Sequence, residues 1–375
     1  MNNNLQMGGG RHRDSNLELY RIIVMLLIVA HHYVVNSGLM KVILESPISA
    51  TSSAMLLFGA WGKTGINCFV LITGYFMCKS NFSAHKLLRL YLQITLYAVI
   101  IYVIFCITGH ENWSMSSLLW KLFPIRSISY GFTSCFLIFF MLIPFINILV
   151  HNMNQRQHTA LTLILLFVYT FLPNINKEVT YNYVSWFFVL YIVSSYIRLY
   201  GLGFELKPRI WGLISLGLIF IGSVSVIWIA RYYLLAPYGM RNPYWFISDS
   251  NKLLALAIGV TSFMWFKGLR IPYSRTINAI GSTTFGVLLI HANSDAMRQW
   301  LWKEYIDTVG HFSNSMLPTL GYAVISVIII FIICSGIDWF RMSFIEPHLL
   351  GWAEKALSKL NAEKIGYRMR KLLTV

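Results

Sequence analysis

Apolar runs recur along the whole chain, and short polar segments that carry most of the charge separate them. The runs fall at 19–39, 52–77, 90–108, 131–150, 158–173, 183–199, 210–230, 250–266, 279–297 and 317–339. Each approaches the roughly 20 residues that a helix needs to cross a bilayer. None alternates apolar and polar positions as a barrel strand does, and in hydrocarbon only helices or closed barrels satisfy their backbone polar groups. The pattern therefore predicts an all-α fold, a polytopic transmembrane bundle of about ten helices. It divides the chain into an N-terminal tail (1–18), one membrane domain (19–339) and a basic C-terminal tail (340–375). In that tail Trp352, Leu357, Leu360 and Ile365 lie among basic residues, as in an interfacial amphipathic helix. The first run is too long for a signal-peptide core and lacks a small-residue cleavage site, so the first helix is expected to remain in the mature protein.

Composition agrees with this picture. The sequence is 57% hydrophobic and 12% charged, with mean hydropathy +0.61. Its net charge of +16 raises the question of nucleic acid. The distribution answers it: most Lys and Arg, among them Arg11, Arg13, Lys79, Lys207, Arg209, Lys267, Arg270 and Lys371, fall in the even-numbered connections and the two tails. By the positive-inside rule these segments are cytosolic, which gives an N-in, C-in orientation. The charge is a topology signal whose default partner is anionic lipid, and nucleic acid is not expected. Five cysteines (Cys68, Cys78, Cys106, Cys135, Cys334) lie in or beside apolar runs without any CxxC or Cys/His cluster. Neither a disulfide framework nor a metal site is expected. The outward loops hold many aromatic residues, Trp113, Trp120, Tyr130, Tyr232, Tyr233, Tyr238, Tyr244 and Trp245. An interfacial belt explains them, and a platform for sugar rings is the sharper alternative.

Candidate chemistry concentrates in the first run. Arg21 and His32 are eleven residues apart, which returns them to within about 20° of one helix face and separates them by about 16 Å along the axis. Arg21 then lies near the cytosolic surface and His32 deep in the membrane. Glu18, one turn before Arg21, is placed to pair with it. His31 points about 100° away from His32 and is expected to pack elsewhere. An intramembrane histidine is either a functional site or an interhelical hydrogen bond, and its combination with a co-facial arginine favours function.

The Arg21-(ten residues)-His32 arrangement resembles the signature of the acyltransferase family 3 membrane proteins, which include bacterial glycan O-acetyltransferases. Other segments match in order over nearly the whole chain. Gly65-Ile66-Asn67-Cys68-Phe69-Val70-Leu71-Ile72-Thr73-Gly74-Tyr75-Phe76 is similar to the family's second-helix motif, with Thr73 where serine is usual. Lys86-Leu87-Leu88-Arg89 is similar to its cytosolic basic pair, and Phe285-Gly286-Val287-Leu288-Leu289-Ile290-His291 to its ninth-helix segment closing on histidine. The resemblance implies acyl transfer from cytosolic acetyl-CoA, a substrate rather than a bound cofactor, to a hydroxyl of a cell-envelope glycan or lipid-linked saccharide at the bacterial cytoplasmic membrane. Lys86, Arg89 and Arg21 would then grip the donor, and His32 would act as general base.

Supporting positions are His291 and Asp295, four apart in the ninth helix, a spacing that permits a contact, either as a pair that packs helices or as an orienter of His32 or of acceptor hydroxyls. Thr73 and Asn67 either bond between helices or donate to the thioester oxygen. Asp249 fits an acceptor contact or a helix cap, and Asp338 is expected to pair with Arg341. Two other classes compete with the enzyme. A transporter or flippase of glycan precursors would also scatter polar residues through many helices, but no inverted repeat or broken helix is legible. A scaffold has no need of a co-facial Arg and His. No segment reads as the added hydrolase-like domain that some members of the resembled family carry, so either transfer is direct, the simpler expectation, or a separate partner protein takes the acyl group over.

Overall fold

The computed structural model describes residues 14–46, 48–125, 131–175, 182–233, 235, 241–313 and 315–359. All regular structure among them is helical: α1 (Ser15–Val35), α2 (Leu39–Glu45), α3 (Ala50–Gly59), α4 (Gly62–Met77), α5 (Ala84–Ile107), α6 (Met115–Leu122), α7 (Phe132–Asn152), α8 (Gln155–Leu166), α9 (Leu172–Ile175), α10 (Tyr183–Tyr200), α11 (Pro208–Arg231), α12 (Leu253–Gly268), α13 (Arg275–His291), α14 (Asp295–Gln299), α15 (Met316–Phe340) and α16 (Glu346–Lys359). Eight segments are long and apolar enough to cross a membrane, with α3–α4, α8–α9 and α15–α16 each counting as one. The shorter α12 and α13 pack among them. The protein is an all-α polytopic bundle.

The helix α1 is its axis, packing against α4, α13, α3, α15 and α12. Its inward side buries Leu17, Tyr20, Val24, Met25, Ile28 and Val29. Glycines on its neighbours allow a close approach: a Cβ added at Gly65 of α4 would lie 2.9 Å from Ile28, and one at Gly281 of α13 would lie 2.4 Å from the Glu18 carboxylate. Outer helices invert the usual rule. Leu213, Phe220, Val224 and Trp228 of α11, and Ile325, Ile329 and Ile332 of α15, are exposed. Such continuous apolar rows are tolerated where the solvent is lipid.

Helix boundaries differ from the apolar runs at informative places. The first helix begins at Ser15 and stops at Val35, because Gly38 adopts a left-handed φ of 87° that starts a separate short helix. The second run is broken at Ala60-Trp61 into α3 and α4. The ninth ends at His291, since Ser294 caps the new helix α14 by accepting from the Met297 amide. The tenth continues through a π-helical turn at Arg341–Ile345 into α16, so the 340 boundary lies inside continuous helix. Residues 360–375, with Leu360 and Ile365, lie outside the described residues, as do Tyr130 and Tyr238.

Candidate active site

Three histidines converge where helices end. His32 lies in the last turn of α1, His291 is the last residue of α13, and Gly59 ends α3. The α3–α4 span runs past this point in both directions, so the level is well inside the bundle although two helices terminate there.

His31 is buried, and its Nδ1 lies 2.6 Å from the Gly59 carbonyl. That carbonyl ends a helix whose ladder is broken one residue later, and the imidazole N–H satisfies it. A Cβ at Gly62 would lie 2.3 Å from that of His31, so the start of α4 is pressed against the ring's base. His31 thus joins α1 to the break in the second span.

His32 turns the other way. Its Nδ1 lies 2.9 Å from Nε2 of His291, and Nδ1 of His291 lies 2.6 Å from the Val287 carbonyl. A carbonyl only accepts, so His291 carries its proton on Nδ1 and presents a lone pair at Nε2. His32 must then donate through Nδ1, which leaves a lone pair on its Nε2. The chain of bonds fixes the tautomer in which a base is available. His291 and His31 are buried, whereas His32 keeps partial exposure. Trp302, in a π-helical turn at Trp300–Tyr305, backs His291 and Tyr33 edge-on.

On the same face of α1, Arg21 donates to Glu18 at 3.2 Å. Glu18 is buried against Gly281, which holds the guanidinium at the base of the bundle. Near that end α5 starts at Ala84, with Lys86 and Arg89 exposed in its first turns. Arg89 binds the Glu346 carboxylate, which also binds Arg341, and Arg341 donates to Asp338 at 2.7 Å. The Asp338–Arg341 pairing is therefore present, and Tyr97 also donates to Asp338, at 2.8 Å.

Other sequence candidates fall elsewhere. His291 and Asp295 do not share a helix: the chain turns at Ala292–Ser294, and the Asp295 side chain is 93% exposed and paired with Arg298. The Thr73 hydroxyl bonds back to the Phe69 carbonyl at 2.9 Å. Asn67 is fully buried, donating to the Ser250 carbonyl at 2.7 Å and accepting from the Trp186 indole at 2.8 Å. Asp249 is exposed three residues before the cap of α12, in the position of neither cap nor core. Tyr244 is not part of an outer platform, because it is buried with its hydroxyl on the Leu56 carbonyl. No group of three or more metal-ligating side chains occurs among the described residues. Sequence reasoning passed over Lys63 and Lys252, whose signal was available: each is a lone cation beside an apolar run.

The structure is that of a polytopic helical membrane protein with an oriented imidazole pair, His32 and His291, in its core. The family model described as an acyltransferase domain (Acyl_transf_3) matches residues 14–337, and the chain belongs to that family of membrane acyltransferases. No curated protein and no solved structure matches it significantly.

Proposed function

We propose that the protein moves an acetyl group from cytosolic acetyl-CoA to a hydroxyl of a bacterial cell-envelope polysaccharide or lipid-linked saccharide, with His32 as general base. The observation that carries this reading is the bond from His32 to His291, which leaves Nε2 of His32 able to accept a proton. A sugar hydroxyl is a poor nucleophile while protonated, so a positioned base is the main requirement of the reaction.

The step balances simply. Nε2 of His32 takes the hydroxyl proton as the oxygen attacks the thioester carbonyl. The tetrahedral intermediate collapses, the C–S bond breaks, and the imidazolium returns its proton to the leaving thiolate. The transient positive charge on His32 lies at the C-terminal ends of α1 and α13, whose last carbonyls present partial negative charge. Donor and acceptor approach from opposite faces. Lys86 and Arg89 suit the phosphates of coenzyme A, with Arg21 and Glu18 at the mouth through which the pantetheine arm rises about 16 Å toward His32. Arg89 would exchange Glu346 for phosphate in doing so.

The test is acetyl-CoA turnover in membranes containing a native envelope glycan, comparing wild type with His32→Ala and His31→Ala at matched expression. Loss of glycan acetylation by about 10²- to 10⁴-fold for His32→Ala, with His31→Ala active once folded, is expected. Near-wild-type turnover by His32→Ala would refute the base assignment.

A further inference from the structure

Two lysines sit on the acceptor side of the candidate site without a carboxylate within ion-pair distance among the described residues. Lys63 follows Gly62, the residue pressed against His31, and is within electrostatic reach of both His31 and His32. Its Nζ donates to the Tyr183 hydroxyl at 2.8 Å. Lys252 is only 6% exposed; its Nζ donates to the Pro173 carbonyl at 3.0 Å and lies 4.0 Å above the Trp245 ring. Their segments are packed together, because Ser250, two residues before Lys252, donates its hydroxyl to the Lys63 carbonyl at 3.0 Å. Asp249, between them in sequence, acts on both electrostatically but forms no ion pair within reach of either.

An ammonium has three N–H donors, and each lysine spends one on a described neutral acceptor. Neutral partners do not compensate a charge withdrawn from water, which is why buried cations are ordinarily paired. Lys252, buried and stacked on an indole, is the less compensated cation, and the half-buried Lys63, next to the residue pressed against His31, adds a second positive charge; the pair suits a negatively charged, ring-shaped ligand. Trp245 supplies the apolar face, and the lysines supply the charge.

We propose that Lys63 and Lys252 bind an anionic group of the acceptor saccharide, so that the enzyme selects a charged acceptor over a neutral one. The group is a sugar carboxylate or the phosphate of a lipid-linked sugar, two sources of the same chemistry. The inference rests on the acyl-transfer reading for calling the ligand an acceptor, but the anion site itself does not require it.

The experiment measures binding, without acetyl-CoA, to the purified full-length protein in lipid nanodiscs. The probes are oligomers of galacturonate and glucuronate, the same oligomers after carboxyl reduction to neutral sugars, and inorganic pyrophosphate. Wild type is expected to bind a charged probe at least about 10-fold more tightly than its neutral counterpart, a difference of about 1.4 kcal/mol. Lys63→Gln and Lys252→Gln should each reduce that preference, and Lys252→Arg should retain it, with thermal unfolding used to confirm that each variant is folded. Preference for the uronates identifies a sugar carboxylate, and preference for pyrophosphate alone identifies a lipid-linked phosphate. Equal binding of charged and neutral probes by wild type, or a preference unchanged in both folded Gln variants, would overturn the proposal. A charged preference in a protein that transfers no acetyl group would leave the anion site standing and sink the acyl-transfer reading instead.

Discussion

His32 and His291, 259 residues apart in sequence, meet nitrogen to nitrogen at 2.9 Å. The contact joins the last turn of α1 to the last residue of α13, and the Val287 carbonyl beyond it dictates which nitrogen of each ring holds a proton. His291 is therefore a positioning residue in the proposed reaction, acting through His32 rather than on the acceptor.

That role predicts a graded series. His291→Ala should lower kcat by about 10²-fold, less than the loss for His32→Ala, because it removes orientation and leaves the base. His291→Gln should recover part of the rate, since the amide oxygen can accept from Nδ1 of His32. KM for acetyl-CoA should stay unchanged in both. Steady-state kinetics on the three variants check this, and equal rates for Ala and Gln would refute the tautomer argument.

His31 should answer differently. Removing its ring leaves the Gly59 carbonyl unsatisfied in the core, at a cost of about 1–3 kcal/mol. His31→Ala is expected to lower the thermal unfolding temperature while sparing kcat per folded molecule. A drop in kcat without a drop in stability would move chemistry to His31.

The sequence made part of this legible and hid the rest for identifiable reasons. The runs locate the helices because lipid imposes a length and an apolar surface on each. The register of Arg21, His32 and His31 follows from helix geometry alone, and the structure places His31 and His32 on different partners accordingly. What hydropathy does not contain is where a helix pauses. Ala60-Trp61 and Ala292-Asn293-Ser294 are apolar or small enough to be read through, yet they end α3 and α13 and create the level at which the histidines meet. The His291–Asp295 contact that the spacing permits fails for that reason. Partners such as Glu346 for Arg89 were equally invisible, because they depend on how α16, continuing from α15, packs against the start of α5.

Asn67 separates packing from chemistry. Its amide bridges the Trp186 indole and the Ser250 carbonyl across three segments. Asn67→Ala strands both partners in the core and should destabilise the protein by about 2–5 kcal/mol in all, as buried groups lose their bonds. Asn67→Asp restores an acceptor for Trp186 but none of the donation to Ser250, so it should remain destabilised. If either variant is folded and stable but catalytically dead, Asn67 belongs to the reaction after all, as a donor to the thioester oxygen.

Glu346 offers the sharpest test of the donor end. It holds Arg89 and Arg341 together, and Arg341 keeps Asp338 as a second carboxylate. The Arg89 side chain is 45% exposed even when so engaged, so phosphate can compete with the glutamate for it. An ion pair this accessible contributes about 0.2–1 kcal/mol, and removing it should lower KM for acetyl-CoA by no more than about 5-fold. Glu346→Gln is thus expected to improve donor affinity slightly, Arg89→Gln to weaken it, and the double variant to match Arg89→Gln, because the glutamate acts only through the arginine. The buried Arg341–Asp338 pair stays intact in all three and should preserve the fold. The opposite pattern, in which Glu346→Gln loosens α16 and leaves KM untouched, would make Arg89 an anchor for that helix and leave Lys86 and Arg21 as the donor's cationic contacts.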